Sequence, residues 1–179
     1  MEELYFVTGN KEKCKEVNKI LKGKIKFANL NLNEIQSGEI YEIVKHKAKE
    51  AYKILGEKVV VEDISLYLEC LNRFPGPFVK FMIASIGSEG IYKMVKNYRE
   101  KTAVVRCVVC HFDGKEFKFF TGDVKGKIVS PKGKNGWGFD PIFMPDGKKK
   151  TFSQMKKSEK NEISHRAIAL RKFKTFLEK

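Results

Sequence analysis

The chain has 179 residues, of which 42% are hydrophobic and 32% charged, an ordinary globular composition that excludes a disordered chain and suffices for one packed domain. No apolar run approaches the roughly 20 residues of a membrane span, and the acidic start lacks the features of a secretory signal, so a cytoplasmic protein with no membrane partner is expected. The net charge of +14 is mostly lysine spread along the chain, densest at Lys148–Lys150, and favours polyanionic or phosphorylated partners.

The first half alternates strand and helix. Leu4 to Thr8 is predicted as a strand. Lys11 to Lys22 follows as a helix, with Cys14, Val17 and Leu21 at helical spacing and Gly23 as its cap. A strand is expected over Ile25–Leu32, a helix over Ile40–Leu55 before Gly56, and an apolar strand over Lys58–Glu62. Val79–Lys96 reads as two short helices broken near Gly87. The second half opens with long strands, Thr102–Phe112 and Lys115–Val129, turned at Asp113-Gly114. Ser130–Asp146 is a loop rich in Gly, Pro and aromatic residues. A last helix is predicted over Ser158–Leu177. The fold class is therefore α/β with a mixed sheet. Cys107 and Cys110 have C-x-x-C spacing, but on a strand they face opposite ways and cannot readily share a metal, so they are expected in the core.

Four places carry candidate chemistry. At Thr8-Gly9-Asn10-Lys11-Glu12-Lys13 a strand turns at once into a helix, whose first turn offers N–H groups and partial positive charge to a phosphate. An ordinary capped helix fits the same residues. Lys47 lies inside an otherwise apolar helical stripe, where it either snorkels to water or reaches an anionic pocket. Val59-Val60-Val61-Glu62-Asp63 ends an apolar strand in acids, which can hold Mg²⁺ against phosphates or orient a water. Glu34 can supply a further oxygen, and the lack of a His/Cys cluster leaves a hard, oxygen-bound metal as the plausible one. Trp137-Gly138-Phe139-Asp140 offers aromatic rings and an acid to a base, and Ser164-His165-Arg166 offers donors to a carbonyl oxygen.

The strings TGNKEK, VEDISL, FPGPFVKF, GWGFDPIF, FSQM and EKNEISHR occur in this order from Thr8 to the last helix. Together they resemble the inosine triphosphate pyrophosphatase family. The resemblance implies a single nucleotide pyrophosphatase domain over residues 1–179, with an elongated mixed central sheet separating two lobes, a nucleotide cleft between them, and a homodimer. It also implies Mg²⁺-dependent hydrolysis of non-standard purine nucleotides (ITP, dITP and XTP) to the monophosphate and pyrophosphate, which cleanses the nucleotide pool. By position, Thr8, Asn10 and Lys13 match the phosphate-binding turn. Glu34 and Asp63 match metal-binding acids, with Asp63 also the catalytic base. Lys47 and Lys80 match lysines on the nucleotide, Lys47 on its phosphates. Trp137, Gly138, Phe139 and Asp140 match the base-binding loop. Lys160, Ser164, His165 and Arg166 match the remaining base-side contacts. One position departs from the pattern: where the family usually has Ser or Thr after the acid, this chain has Ile64, and the nearest hydroxyl is Ser65.

Two other classes are weighed. A related pyrophosphatase for pyrimidine or modified nucleotides is disfavoured by Ser164-His165-Arg166, which resembles the purine branch. An RNA-binding module would need aromatics interleaved with Lys/Arg on exposed strands, whereas the long strands here are rich in Val and Cys. No specific nucleic-acid partner is expected.

Overall fold

The structure is a computed structural model that describes residues 3–23 and 25–179. Seven strands form one mixed sheet and five helices accompany it. In chain order these are β1 (Leu4–Val7), α1 (Lys11–Leu21), β2 (Lys26–Ala28), α2 (Ile40–Leu55), β3 (Lys58–Leu68), β4 (Pro75–Gly76), α3 (Val79–Val95), β5 (Thr102–Phe112), β6 (Phe117–Ile128), β7 (Phe143–Pro145), α4 (Lys157–Ile163) and α5 (His165–Leu177). The sheet order is β2-β1-β3-β5-β6-β7, with β4 beside β3. Strand β1 runs parallel to both β2 and β3, while β4 on β3 and β7 on β6 are antiparallel.

The chain divides into two compact units. One comprises Met1–Asp63, Cys107–Gly122 and Arg166–Lys179, the other Ile64–Arg106 and Asp123–His165. In the first, the apolar stripe of α2 (Ile40, Val44, Ala48, Ala51) packs on Val59 and Val61 of β3 and on Val108 and Cys110 of β5. This is the period-3.6 stripe meeting the period-2 face of strands. In the second, Leu66, Leu68, Val79, Ile91, Val105, Phe139, Phe143 and Phe152 form a separate core.

Helix α2, strand β5 and the break at Gly87 fall where the sequence puts them; Gly87 interrupts α3 with φ 67 and ψ 175. Most other boundaries shift by a residue or two, and four differences are larger. Strand β2 stops at Ala28 rather than Leu32, because its partner β1 ends at Val7 and offers nothing further to pair with. Strand β3 runs past Glu62 to Leu68, so the two acids sit in mid-strand rather than at its end. The apolar residues after them pair onward, Leu66 with Gly76 and Tyr67 with Pro75. Residues 143–145 of the expected loop form β7 against Gly126–Ile128. The single final helix is two: Ser164 is extended, at φ −68 and ψ 152. Serine competes for its neighbours' backbone groups and favours helix ends. The break lets Ile163 pack on the second core while Ala167, Leu170 and Phe173 are buried in α5.

Candidate active site

In the first unit, the Thr8–Lys13 turn is built by its own side chains. The Asn10 amide donates to Thr8 Oγ1 at 3.1 Å, and Asn10 Oδ1 accepts from the amides of Glu12 at 2.9 Å and Lys13 at 3.2 Å. Asn10 is thus the N-cap of α1, as the sequence suggests. A Cβ on Gly9 would meet Asn29 Oδ1 at 2.8 Å, so the turn passes Asn29 too closely for a side chain. Gly9 and Asn10 are exposed, and Thr8 is half-buried.

Glu62 and Asp63 follow one another on β3, so they leave opposite faces of the strand. Asp63 turns towards α2. Lys47 on that helix bridges two carboxylates, meeting Asp63 Oδ2 at 2.8 Å and Glu34 Oε1 at 3.0 Å. Burial acts to lower the pKa of Lys47, but the charges of Asp63 and Glu34 outweigh it and the ammonium is held protonated. Lys47 therefore ends on two acids, largely shielded from solvent, rather than in open water. Two carboxylate oxygens converging on one cation form an all-oxygen set that fits a hard divalent ion such as Mg²⁺. Among the described residues no group of three or more His, Cys, Asp or Glu gathers.

Glu62 turns the other way, towards α1 and α5. Its carboxylate is 1% exposed. Oε2 accepts from Arg166 Nε at 2.8 Å and from the Cys107 thiol at 3.3 Å. Oε1 lies 2.9 Å from Lys13 Nζ, a charge contact rather than an aligned hydrogen bond. Glu16, one turn on from Lys13, takes Arg166 Nη1. Burial acts to raise the carboxyl pKa of Glu62, but Arg166 and Lys13 outweigh it and hold the group well below the usual carboxylate range. Burial likewise opposes the charge on Arg166, and Glu62 with Glu16 restores it. Cys107, buried against this carboxylate, has its thiol pushed well up.

In the second unit, the Gly136–Asp140 turn closes on an acid. Asp140 Oδ2 accepts from the Trp137 amide at 2.9 Å and from Lys160 Nζ at 2.6 Å. A Cβ on Gly136 would lie 2.1 Å from that same oxygen. Trp137 is 37% exposed, whereas Phe139 is buried in the core. The tryptophan is thus the accessible ring of the loop. His165 is buried with its ring 5.9 Å from Phe139 and 6.1 Å from Phe152. Ser164 is buried at the helix break, and Lys80 is exposed in the first turn of α3. Ser65 is fully buried and its hydroxyl finds no partner among the described residues, while Ile64 packs on the second core. Neither offers a hydroxyl for a ligand.

The predicted residues therefore gather in three groups: Thr8, Asn10 and Lys13; Glu34, Lys47 and Asp63; and Trp137, Asp140 and Lys160. His165 and Arg166, neighbours in sequence, make their described contacts with different residues. Glu16 and Cys107 were not singled out from sequence as site residues, and Glu62, expected beside Asp63 as an acid for metal or water, turns instead to Arg166 and Lys13. The period-2 alternation of β3 was the available signal, since it sends adjacent acids to opposite faces.

The Ham1 family matches residues 4–176. The chain belongs to the Ham1 family. It is similar to the inosine triphosphate pyrophosphatase of Scheffersomyces stipitis, 40% identical over 192 residues that cover 99% of this chain and 98% of the relative. It is similar at 40% identity over 176 residues to the dITP/XTP pyrophosphatase of Saccharolobus solfataricus, with 96% of this chain and 92% of that one covered. A Ham1 protein structure from Coxiella burnetii superposes with a TM-score of 0.89 at 26% identity, over 99% of both chains. The mixed sheet and five helices described above are thus a Ham1 fold.

Proposed function

We propose that this Ham1 chain is a nucleoside triphosphate pyrophosphatase acting on ITP, dITP and XTP and releasing the monophosphate and pyrophosphate. The observation that carries this is the Glu34–Lys47–Asp63 cluster, with two carboxylates drawn to one cation. A bare triphosphate repels such acids, so they make sense with a divalent ion between them and the phosphates. Relatives named for ITP and dITP/XTP support the substrate class.

In this proposal Thr8, Asn10 and Lys13 hold phosphate oxygens, and Lys47 adds a second positive charge. Glu34 and Asp63 would hold Mg²⁺, which when bound neutralises phosphate charge and polarises the phosphorus–oxygen bonds. Asp63, still partly open to solvent, accepts the proton of the water that attacks at the α–β linkage. On the base side Trp137 stacks, with Gly138 shaping its turn and Phe139 backing it from the core. Lys80, Lys160, Ser164 and His165 contribute polar contacts, with Asp140 fixing both the Trp137 turn and Lys160. His165 and Arg166 donate towards the C6 carbonyl of hypoxanthine or xanthine, where adenine presents a donor instead. The guanidinium plane of Arg166 is fixed beforehand by Glu62 and Glu16. The protein acts as one domain in a cytoplasmic homodimer.

The test is a panel of ITP, XTP, GTP and ATP with Mg²⁺, scored for pyrophosphate against orthophosphate. Pyrophosphate release with ITP and XTP preferred over ATP by roughly 10² or more is expected, the scale of a mispaired buried donor. Hydrolysis of ATP as fast as ITP, or activity persisting in EDTA, rejects the assignment.

A further inference from the structure

We propose that Glu62 is a positioning residue for phosphate binding, a carboxylate locked by Arg166 and Cys107 so that its other oxygen aims Lys13 across the Thr8–Asn10 turn. Three observations carry this, resting on the phosphate-site reading above. The first is the division of labour between the two oxygens. Oε2 is taken by Arg166 Nε and the Cys107 thiol, which fixes the rotation of the carboxylate, and Oε1 is left to face Lys13 Nζ at 2.9 Å. The second is burial. The Glu62 side chain is 1% exposed and Lys13 is 16% exposed, so water does not compete for the contact at the glutamate end, while the ammonium keeps an open side. An ammonium has three donors, and the charge contact with Glu62 leaves them available to a ligand. The third is anchorage. Arg166 is itself held from its other side by Glu16, which is on the same helix as Lys13. Helix α1, strand β3 and helix α5 are thereby tied at one point, and a lysine that would otherwise sample many rotamers is held against Glu62.

Glu62 touches no substrate in this arrangement. Its effect passes through Lys13, and it concerns the phosphates rather than the base. The experiment is a double-mutant cycle of Glu62→Gln, Lys13→Met and the pair together. It is read by binding of inorganic pyrophosphate in Mg²⁺ buffer, and by kcat and KM for ITP. Lys13→Met is expected to weaken pyrophosphate about 10-fold or more, the scale of one charge-assisted hydrogen bond. Glu62→Gln should weaken it similarly in the otherwise intact protein and hardly at all once Lys13 is gone. Glu62→Asp, which keeps the charge one methylene further back, should restore part of the loss. If the Gln variant does not fold, the Asp variant carries the same cycle. A purely structural role gives a lowered Tm with unchanged pyrophosphate affinity of the folded protein; that result, or losses that simply add in the double variant, overturns the proposal. Failure of wild-type ITP hydrolysis instead rejects the pyrophosphatase assignment, and the pyrophosphate cycle still decides whether Glu62 acts through Lys13.

Discussion

The two sides of β3 at residues 62 and 63 treat the same chemistry in opposite ways. On the α2 side, Asp63 is 22% exposed and shares Lys47 with an exposed Glu34. On the other side, Glu62 is 1% exposed between Arg166, Lys13 and Cys107. Both are acid–base clusters, yet the carboxylates of the first are open to solvent and that of the second is enclosed. A carboxylate that must take a proton or bind a hard cation has to remain hydrated and only loosely tied. One that must hold another side chain still is better enclosed, where its charge interactions are least screened. On the proposed reading, chemistry falls to the more open Asp63 and positioning to the enclosed Glu62.

Replacing Asp63 by Asn tests this contrast most sharply. The amide can still accept from Lys47 but is a poor base and metal ligand, so kcat for ITP should fall by roughly 10² to 10⁴ while Tm barely changes. Equal damage to kcat and Tm would erase the distinction between the two faces. Arg166→Met attacks the enclosed side and should cost about 3–5 kcal/mol in urea unfolding, because it leaves Glu62 buried without its main counter-charge. Lys47→Met, on the wetter side, should cost less stability than Arg166→Met; an equal or larger loss would break the comparison. Acidification gives a third measure. The folded Glu62 carboxyl is held below its ordinary pKa, so its contribution is present above about pH 4.3 and is lost as pH falls below that, when the unfolded chain takes a proton first. Urea midpoints from pH 7 to pH 3 should fall less steeply for Glu62→Gln than for wild type. The smallest effect is expected two residues beyond Asp63 on the strand. Ser65→Ala removes a buried hydroxyl that has no partner among the described residues, so kinetics should be unchanged and stability unchanged or higher by about 1 kcal/mol. A loss of ITP turnover there would mean that this hydroxyl does reach the phosphates.

Local signals in the sequence carry most of the fold. The stripe of α2, the Asn10 cap and the Asp113-Gly114 turn each depend on neighbours a few residues away, and all three lie where their spacing predicts. Strand β7 was missed because three residues of a Gly/Pro-rich loop pair with Gly126–Ile128, a partner no local pattern reveals. The break at Ser164 was missed because the apolar period runs on through it, although the chain passes from the second unit to the first between His165 and Arg166. In the site, Asp63, Glu34 and Lys47 were legible as chemical types. The enclosure of Glu62 was not, since it depends on Arg166 arriving from 104 residues away.

That separation has a kinetic consequence during synthesis. Glu62 leaves the ribosome 104 residues ahead of Arg166, and Glu16 leaves 150 residues ahead. At 5–20 residues per second the wait for the arginine is roughly 5–20 s. During that interval a β3 strand docked on α1 would bury a carboxylate balanced by Lys13 alone. The nascent segment is therefore expected to delay closing that face, leaving β3 open to chaperones until α5 is available.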